Sequence, residues 1–125
     1  MRVGEEFIPL RNVFWAAGVR ASPLGASLGV PLDRSGRVIV NADLTLPGHP
    51  EVFVAGDMAA ARSADTGELV PGVAQGGMQM GRYAGLAIRE AVRARTMGLP
   101  AQARKPFIYR DKGSVSVIGT SKAVM

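Results

Sequence analysis

The chain has 125 residues, 15 Lys plus Arg against 10 Asp plus Glu for a net charge of +5, and no cysteine. That length allows one domain, and 47% hydrophobic with 20% charged residues is not a disordered composition. Lack of cysteine excludes disulfide frameworks, thiolate metal sites and cysteine redox chemistry. No apolar run reaches the roughly 18 residues needed to span a bilayer, and no secretory signal opens the chain, so a soluble, intracellular α/β piece is expected. The basic residues are dispersed from Arg34 and Arg37 through Arg82–Arg95 to Arg104–Lys112, and aromatics make up only 6%. Nucleic acid is therefore not an expected partner.

In chain order, the apolar run Val13-Phe14-Trp15-Ala16-Ala17 closed by Gly18 predicts a buried strand and a tight turn. Ser22-Pro23-Leu24 predicts a short helical turn with Ser22 as N-cap, from which Leu24, Leu28 and Val30 cover a small core. Asp33-Arg34-Ser35-Gly36 is a turn signal ahead of a strand at Arg37–Val40. Pro47-Gly48-His49-Pro50 is a loop, and Glu51–Ala55 predicts a strand covered on both faces, as in a parallel sheet. Val73 to about Arg95 carries a helical stripe of Val73, Gly77, Met80, Ala84, Ala87 and Ala91, stopped by Gly98-Leu99-Pro100. Lys105–Tyr109 and Ser114–Ile118 predict a hairpin around Asp111-Lys112-Gly113.

Most catalytic constellations are absent. The single histidine, His49, lies in a Pro-Gly loop and reads as solvated, and no metal cluster, nucleophile elbow, Walker loop or Gly-x-Gly-x-x-Gly fingerprint occurs. Two features remain. Gly56-Asp57 ends a strand; there Gly56 permits close approach of a ligand, and Asp57 either accepts hydrogen bonds from a polyol or caps the next segment. Pro71-Gly72-Val73-Ala74-Gln75 opens the long helix, whose free N–H groups suit an anion. Gln75 and Gln79 share a helix face, and are either part of a site or ordinary solvent-facing side chains.

Thr45-Leu46 with Pro50-Glu51-Val52-Phe53-Val54-Ala55-Gly56-Asp57 resembles the second flavin-binding motif of the two-dinucleotide-domain flavoproteins. Trp15-Ala16-Ala17-Gly18 looks like the crossover from their NAD domain to their FAD domain. Ala74-Gln75-Gly76-Gly77-Met78-Gln79-Met80-Gly81 is similar to the Ala-Gln-x-Ala-x-Gln-x-Gly motif of type II NADH dehydrogenases, with Gly77 where alanine is usual. Phe107-x-Tyr109-x-Asp111-Lys112-Gly113-Ser114 and Ile118-Gly119 look like the segment that follows in those enzymes, although Ser116 and Thr120 depart from its pattern.

The resemblance implies an α/β fold: part of an FAD/NAD(P)-binding, Rossmann-like domain with one long helix and a C-terminal β-hairpin. Residues 1–20 would be the crossover from a missing NAD domain, 21–100 the FAD-domain strand and long helix, and 101–125 the hairpin. FAD is the implied cofactor, contacted by Gly18, Gly56, Asp57, Ala74 and Gln75. Quinone would border Gln75, Gln79 and Lys112, with NADH as hydride donor. No catalytic residue and no metal ligand is implied. The parent enzymes are peripheral on the cytoplasmic face of the membrane, whereas this chain carries no anchoring helices, so weak membrane association and a cytoplasmic location are expected. Without the FAD-domain glycine fingerprint and the NADH domain, the chain alone is expected to bind FAD weakly and to show no turnover. Two alternatives are a non-enzymatic module that self-associates through exposed sheet edges near Val52–Val54, and another flavoprotein oxidoreductase of the same superfamily.

Overall fold

The computed structural model describes every residue except 15, 17, 19, 101, 114, 115, 119–121 and 125. Eight short strands and one long helix occur among the described residues, in the order β1 (Arg2–Val3), β2 (Glu6–Phe7), β3 (Val38–Ile39), β4 (Thr45–Leu46), β5 (His49–Phe53), β6 (Ala59–Ala60), α1 (Ala74–Thr96), β7 (Ser116–Ile118) and β8 (Lys122–Val124). The mixture is α/β, but only β3 and β6 pair in parallel; β1–β2, β4–β5 and β7–β8 are antiparallel pairs.

Three local predictions match closely. Ser22 caps the 3-10 turn Pro23–Leu28 by accepting from the Leu24 N–H. Asp33 Oδ1 accepts from the N–H groups of Ser35 and Arg37, and Gly36 takes a positive φ of 78° in that turn. Helix α1 covers Ala74–Thr96, with Gly98 in the left-handed region just beyond.

Five expectations are corrected. Val13 and Phe14 are not in a strand, and Phe14 is 94% exposed, because nothing among the described residues covers them. The crossover motif they lead into falls partly on Trp15 and Ala17, outside the described residues; Gly18 has a φ of 81°. In the turn at Pro23–Leu28 the buried residue is Gly25, where a Cβ would come within 3.1 Å of Val38, whereas Leu24 and Leu28 face solvent. The Glu51–Ala55 run is not a doubly covered parallel strand: Gly48, at a φ of 81°, turns β5 back antiparallel onto β4 and leaves most of β5 exposed. His49 is the first residue of β5 rather than a loop residue, exposed as expected and 3.3 Å from Glu51. Lastly, residues 105–109 are extended without pairing as a strand, and the hairpin is formed by β7 and β8 further on. Ser116 lies in β7, and the motif positions Ser114, Gly119 and Thr120 lie outside the described residues.

The core gathers Val38, Leu44, Leu46, Val54, Ala59, Ala61, Val70, Met80 and Phe107. Met80 and Ala84 bring the buried face of α1 to it, along with Gly76. Leu44 is nearly sealed, at 1% exposure, in spite of a left-handed φ of 62°. The strain of about 1–2 kcal/mol for a residue with a Cβ there is opposed by burial of a leucine side chain, about 1.5–3 kcal/mol.

Candidate functional site

After β5 the chain passes through Gly56, at a φ of 72°, into a 3-10 turn Gly56–Met58 and then into β6. Asp57 therefore follows an antiparallel strand, not the end of a parallel one, and its carboxylate is exposed. The turn lies against the start of α1. A Cβ on Gly77 would stand 3.5 Å from Gly56 Cα, and one on Gly72 would stand 3.6 Å from Asp57 Oδ1. Gly76 is tighter: its Cβ would fall 2.9 Å from the Pro71 carbonyl oxygen and 3.1 Å from Val70. Glycine at 76 is what lets the chain turn from Val70-Pro71 into a helix without an opening.

The N-cap of α1 is Val73, which has no side chain able to cap. Gly76 and Gly77 both donate to the Val73 carbonyl, while the N–H groups of Ala74 and Gln75 have no backbone acceptor among the described residues. These two donors and the helix dipole give the end of α1 nearest Asp57 a partial positive charge.

The opposite side of α1 is polar. Gln79 Nε2 donates to the Arg110 carbonyl at 2.8 Å, and Gln79 Oε1 accepts from the Arg110 N–H at 2.9 Å. Gln75 Oε1 accepts from the Lys112 N–H at 3.1 Å, and its Nε2 donates to the Gly113 carbonyl at 2.9 Å and to Asp111 Oδ1 at 3.2 Å. One turn further along, the Tyr83 hydroxyl donates to the Lys105 carbonyl, and its ring meets Phe107 edge-on at 5.6 Å. Burial first, then the negative charge of Asp43, pushes the Tyr83 hydroxyl pKa up. It therefore stays a donor across the neutral range. Residues 105–113 thus run antiparallel to α1 as an extended segment.

The far edge of that segment is fixed as well. Phe107 donates to the Ala42 carbonyl and accepts from the Ala64 N–H, and Tyr109 donates to Ser63 Oγ. Arg104 reaches Asp43 at 3.1 Å and the Pro50 carbonyl at 2.8 Å, with its guanidinium 4.9 Å from the centre of the Phe53 ring.

The structure therefore brings Gly56, Asp57, Ala74, Gln75, Gln79 and Lys112 to one end of α1, while no contact joins Gly18 to them among the described residues. Sequence reasoning missed Tyr83 and Ser63, and named Gly72 only as part of the helix start. Tyr83 carried a signal, since it stands four residues after Gln79 on the same face. Ser63 carried none, because its partner is 46 residues away.

A profile of the pyridine nucleotide-disulphide oxidoreductase family matches residues 2–84. The chain belongs to that family. This membership accounts for the α/β elements as part of an FAD/NAD-binding, Rossmann-like domain. Among its relatives, the type II NADH:quinone oxidoreductase NdhA of Mycobacterium tuberculosis is 46% identical over 126 aligned positions, covering 97% of this chain and 25% of the relative. The type II NADH:quinone oxidoreductase Ndh of the same organism is 46% identical, covering 88% and 22%. A type II NADH:quinone oxidoreductase of Staphylococcus haemolyticus is 33% identical, covering 96% and 28%. The chain spans about a quarter of the length of these curated relatives. Among the described residues no helix is long and apolar enough to cross a membrane.

Proposed function

We propose that the chain is the C-terminal part of the FAD domain of a type II NADH:quinone oxidoreductase, and that it has no turnover alone. The supporting observation is the apposition of the Gly56–Asp57 turn, with its exposed carboxylate, to the uncapped N-terminus of α1. The residues fit FAD in kind. Gly56 has no atom within 4 Å of where a Cβ would stand, so its backbone is open to close approach. Asp57 is an acceptor for the ribityl hydroxyls, and the Ala74 and Gln75 N–H groups are donors for an electron-rich ring edge. FAD, when bound, would supply the transfer of two electrons from NADH to quinone.

The chain's own residues then have distinct tasks. Asp57 orients by hydrogen bonding. The first turn of α1 stabilises negative charge by its dipole. Lys112, one residue beyond Asp111 on the segment held by Gln75, adds a full positive charge on the quinone side. The carboxamides of Gln75 and Gln79 are engaged with backbone, so in this reading they border quinone as a wall. Gly18 remains a proposed cofactor contact on resemblance alone.

Visible absorption spectra recorded while FAD is titrated into the chain, with no separation step to strip a weakly held cofactor, test the reading. A saturable change in the flavin bands that is lost in Asp57→Ala is the expected result. An unperturbed flavin spectrum at high FAD would remove the cofactor site from this chain. A second reading, self-association, is favoured by β5, which pairs only with β4 among the described residues and exposes Val52. Gel-filtration volume that shifts with concentration in the absence of flavin would support it.

A further inference from the structure

Three side chains of α1 at four-residue spacing, Gln75, Gln79 and Tyr83, bind the backbone of one extended segment at Lys112–Gly113, Arg110 and Lys105. We infer that Gln79 and Tyr83 are positioning residues, which act through this segment to hold Lys112 at the first turn of α1.

The choice of side chain follows from what the segment lacks. An extended backbone docked on a helix finds no ladder partner there, since the helix has used its own N–H and C=O groups internally. A primary carboxamide supplies what is missing. It carries a donor and an acceptor in one plane, the same pair a peptide unit offers. Gln79 uses both on a single residue, Arg110, as a neighbouring strand would. Gln75 repeats the arrangement across Lys112 and Gly113, and Asp111 Oδ1 closes the turn by accepting from the Gly113 N–H. Gly113 takes a φ of 83° at the end of this segment. No charged side chain reproduces this pairing: lysine and arginine only donate, and an ionised carboxylate only accepts.

Lys112 is thereby fixed from below by Gln75, and from the neighbouring residue pair by Gln79. Its backbone is held in register with Ala74 and Gln75, whose free N–H groups share its sign of charge. The placement of the lysine is a property of this chain. That the lysine faces quinone rests on the proposed function.

Gln79→Glu in the full chain is the test, followed by NMR of its carboxyl carbon and of the Arg110 and Lys112 amides. Ionised, the new side chain accepts from the Arg110 N–H but places a second oxygen against the Arg110 carbonyl. Protonated, it donates there and restores both bonds. The expected result is a carboxyl titrating about one pH unit above its ordinary range, with the Arg110 and Lys112 amide shifts following the same midpoint. In Gln79→Ala the Arg110 and Lys112 amides should exchange about tenfold faster, while the Ala59 and Ala60 amides of β6 keep their protection and report that the fold is intact. An ordinary carboxyl pKa with an unmoved Arg110 amide would overturn the inference. Tyr83→Phe should speed exchange at Phe107 and Arg110 in the same way, and unchanged rates there would remove Tyr83 from the role. None of these readings needs flavin, so a chain that leaves the FAD spectrum unperturbed at high FAD but still titrates as described would remove the proposed cofactor site and leave the positioning role standing.

Discussion

Helix α1 meets its two neighbours by opposite means. Toward the Gly56–Met58 turn it presents Gly77, and toward Val70-Pro71 it presents Gly76, and it relies on contact alone, at distances that a Cβ would fill or violate. Toward residues 105–113 it presents Gln75, Gln79 and Tyr83 and relies on directed hydrogen bonds. The first side fixes how near the helix end comes to Asp57, and the second fixes which backbone atom faces which side chain. A contact surface tolerates sliding, and takes added volume only where a Cβ has room. A hydrogen-bonded surface tolerates modest volume but not sliding.

Substitutions should separate the two sides. Phe107→Ala removes the buried ring that anchors the polar side, and should destabilise the chain by about 3–5 kcal/mol in a denaturant melt. Gly76→Ala should cost about 1–3 kcal/mol, because its Cβ meets the Pro71 carbonyl and overpacking outweighs the gain in helix propensity of about 1 kcal/mol. If Gly76→Ala were neutral, the contact side would be looser than its geometry indicates.

Acid should act on the flank of the polar side. Burial pushes the Asp43 carboxyl up, but hydrogen bonds from Thr45 and Arg104 outweigh it and hold the carboxyl below its ordinary value. A carboxyl depressed in the folded chain contributes stability that is present above its unfolded pKa, and that contribution drains as pH falls through the folded one. Tm should therefore drop below about pH 4, and Asp43→Asn should flatten that slope while lowering Tm at neutral pH. The smallest effect is on the contact side. Gly77→Ala places its Cβ at ordinary van der Waals distance, 3.5 Å from Gly56 Cα, and should stabilise α1 by about 0.5–1 kcal/mol. That alanine usually occupies this position in the motif that the chain resembles is consistent with such a fit.

The two sides also differed in how far the sequence disclosed them. Helix α1 was readable from its period and its glycine stop, because both signals are local. The turn at Asp33–Gly36 was readable for the same reason. The placement of β5 was not: Glu51–Ala55 has the composition of a covered strand, and it is Gly48 that folds it back onto β4 with one face open. Residues 105–109 look like a strand because they are extended and β-favouring, yet they pair with side chains and loop backbone, which no local pattern encodes. Gln75 and Gln79 were visible as a pair on one face. What they bind lies 31 to 38 residues away and was not.

The polar side has one more property, a matter of commensurability. Four residues of helix advance about 6 Å, and two residues of extended chain advance about 6.6 Å. Gln75 and Gln79, four apart, can therefore meet Lys112 and Arg110, two apart, with almost no accumulated mismatch. The two scales work as a vernier that reads true at one setting. Slipping the segment by a single residue would turn the Arg110 and Lys112 donors away from the helix and present the neighbouring residues' backbones the wrong way round. An insertion between Arg110 and Lys112 would for that reason be far more damaging than a substitution at either position, since it moves the lysine without altering any side chain that holds it.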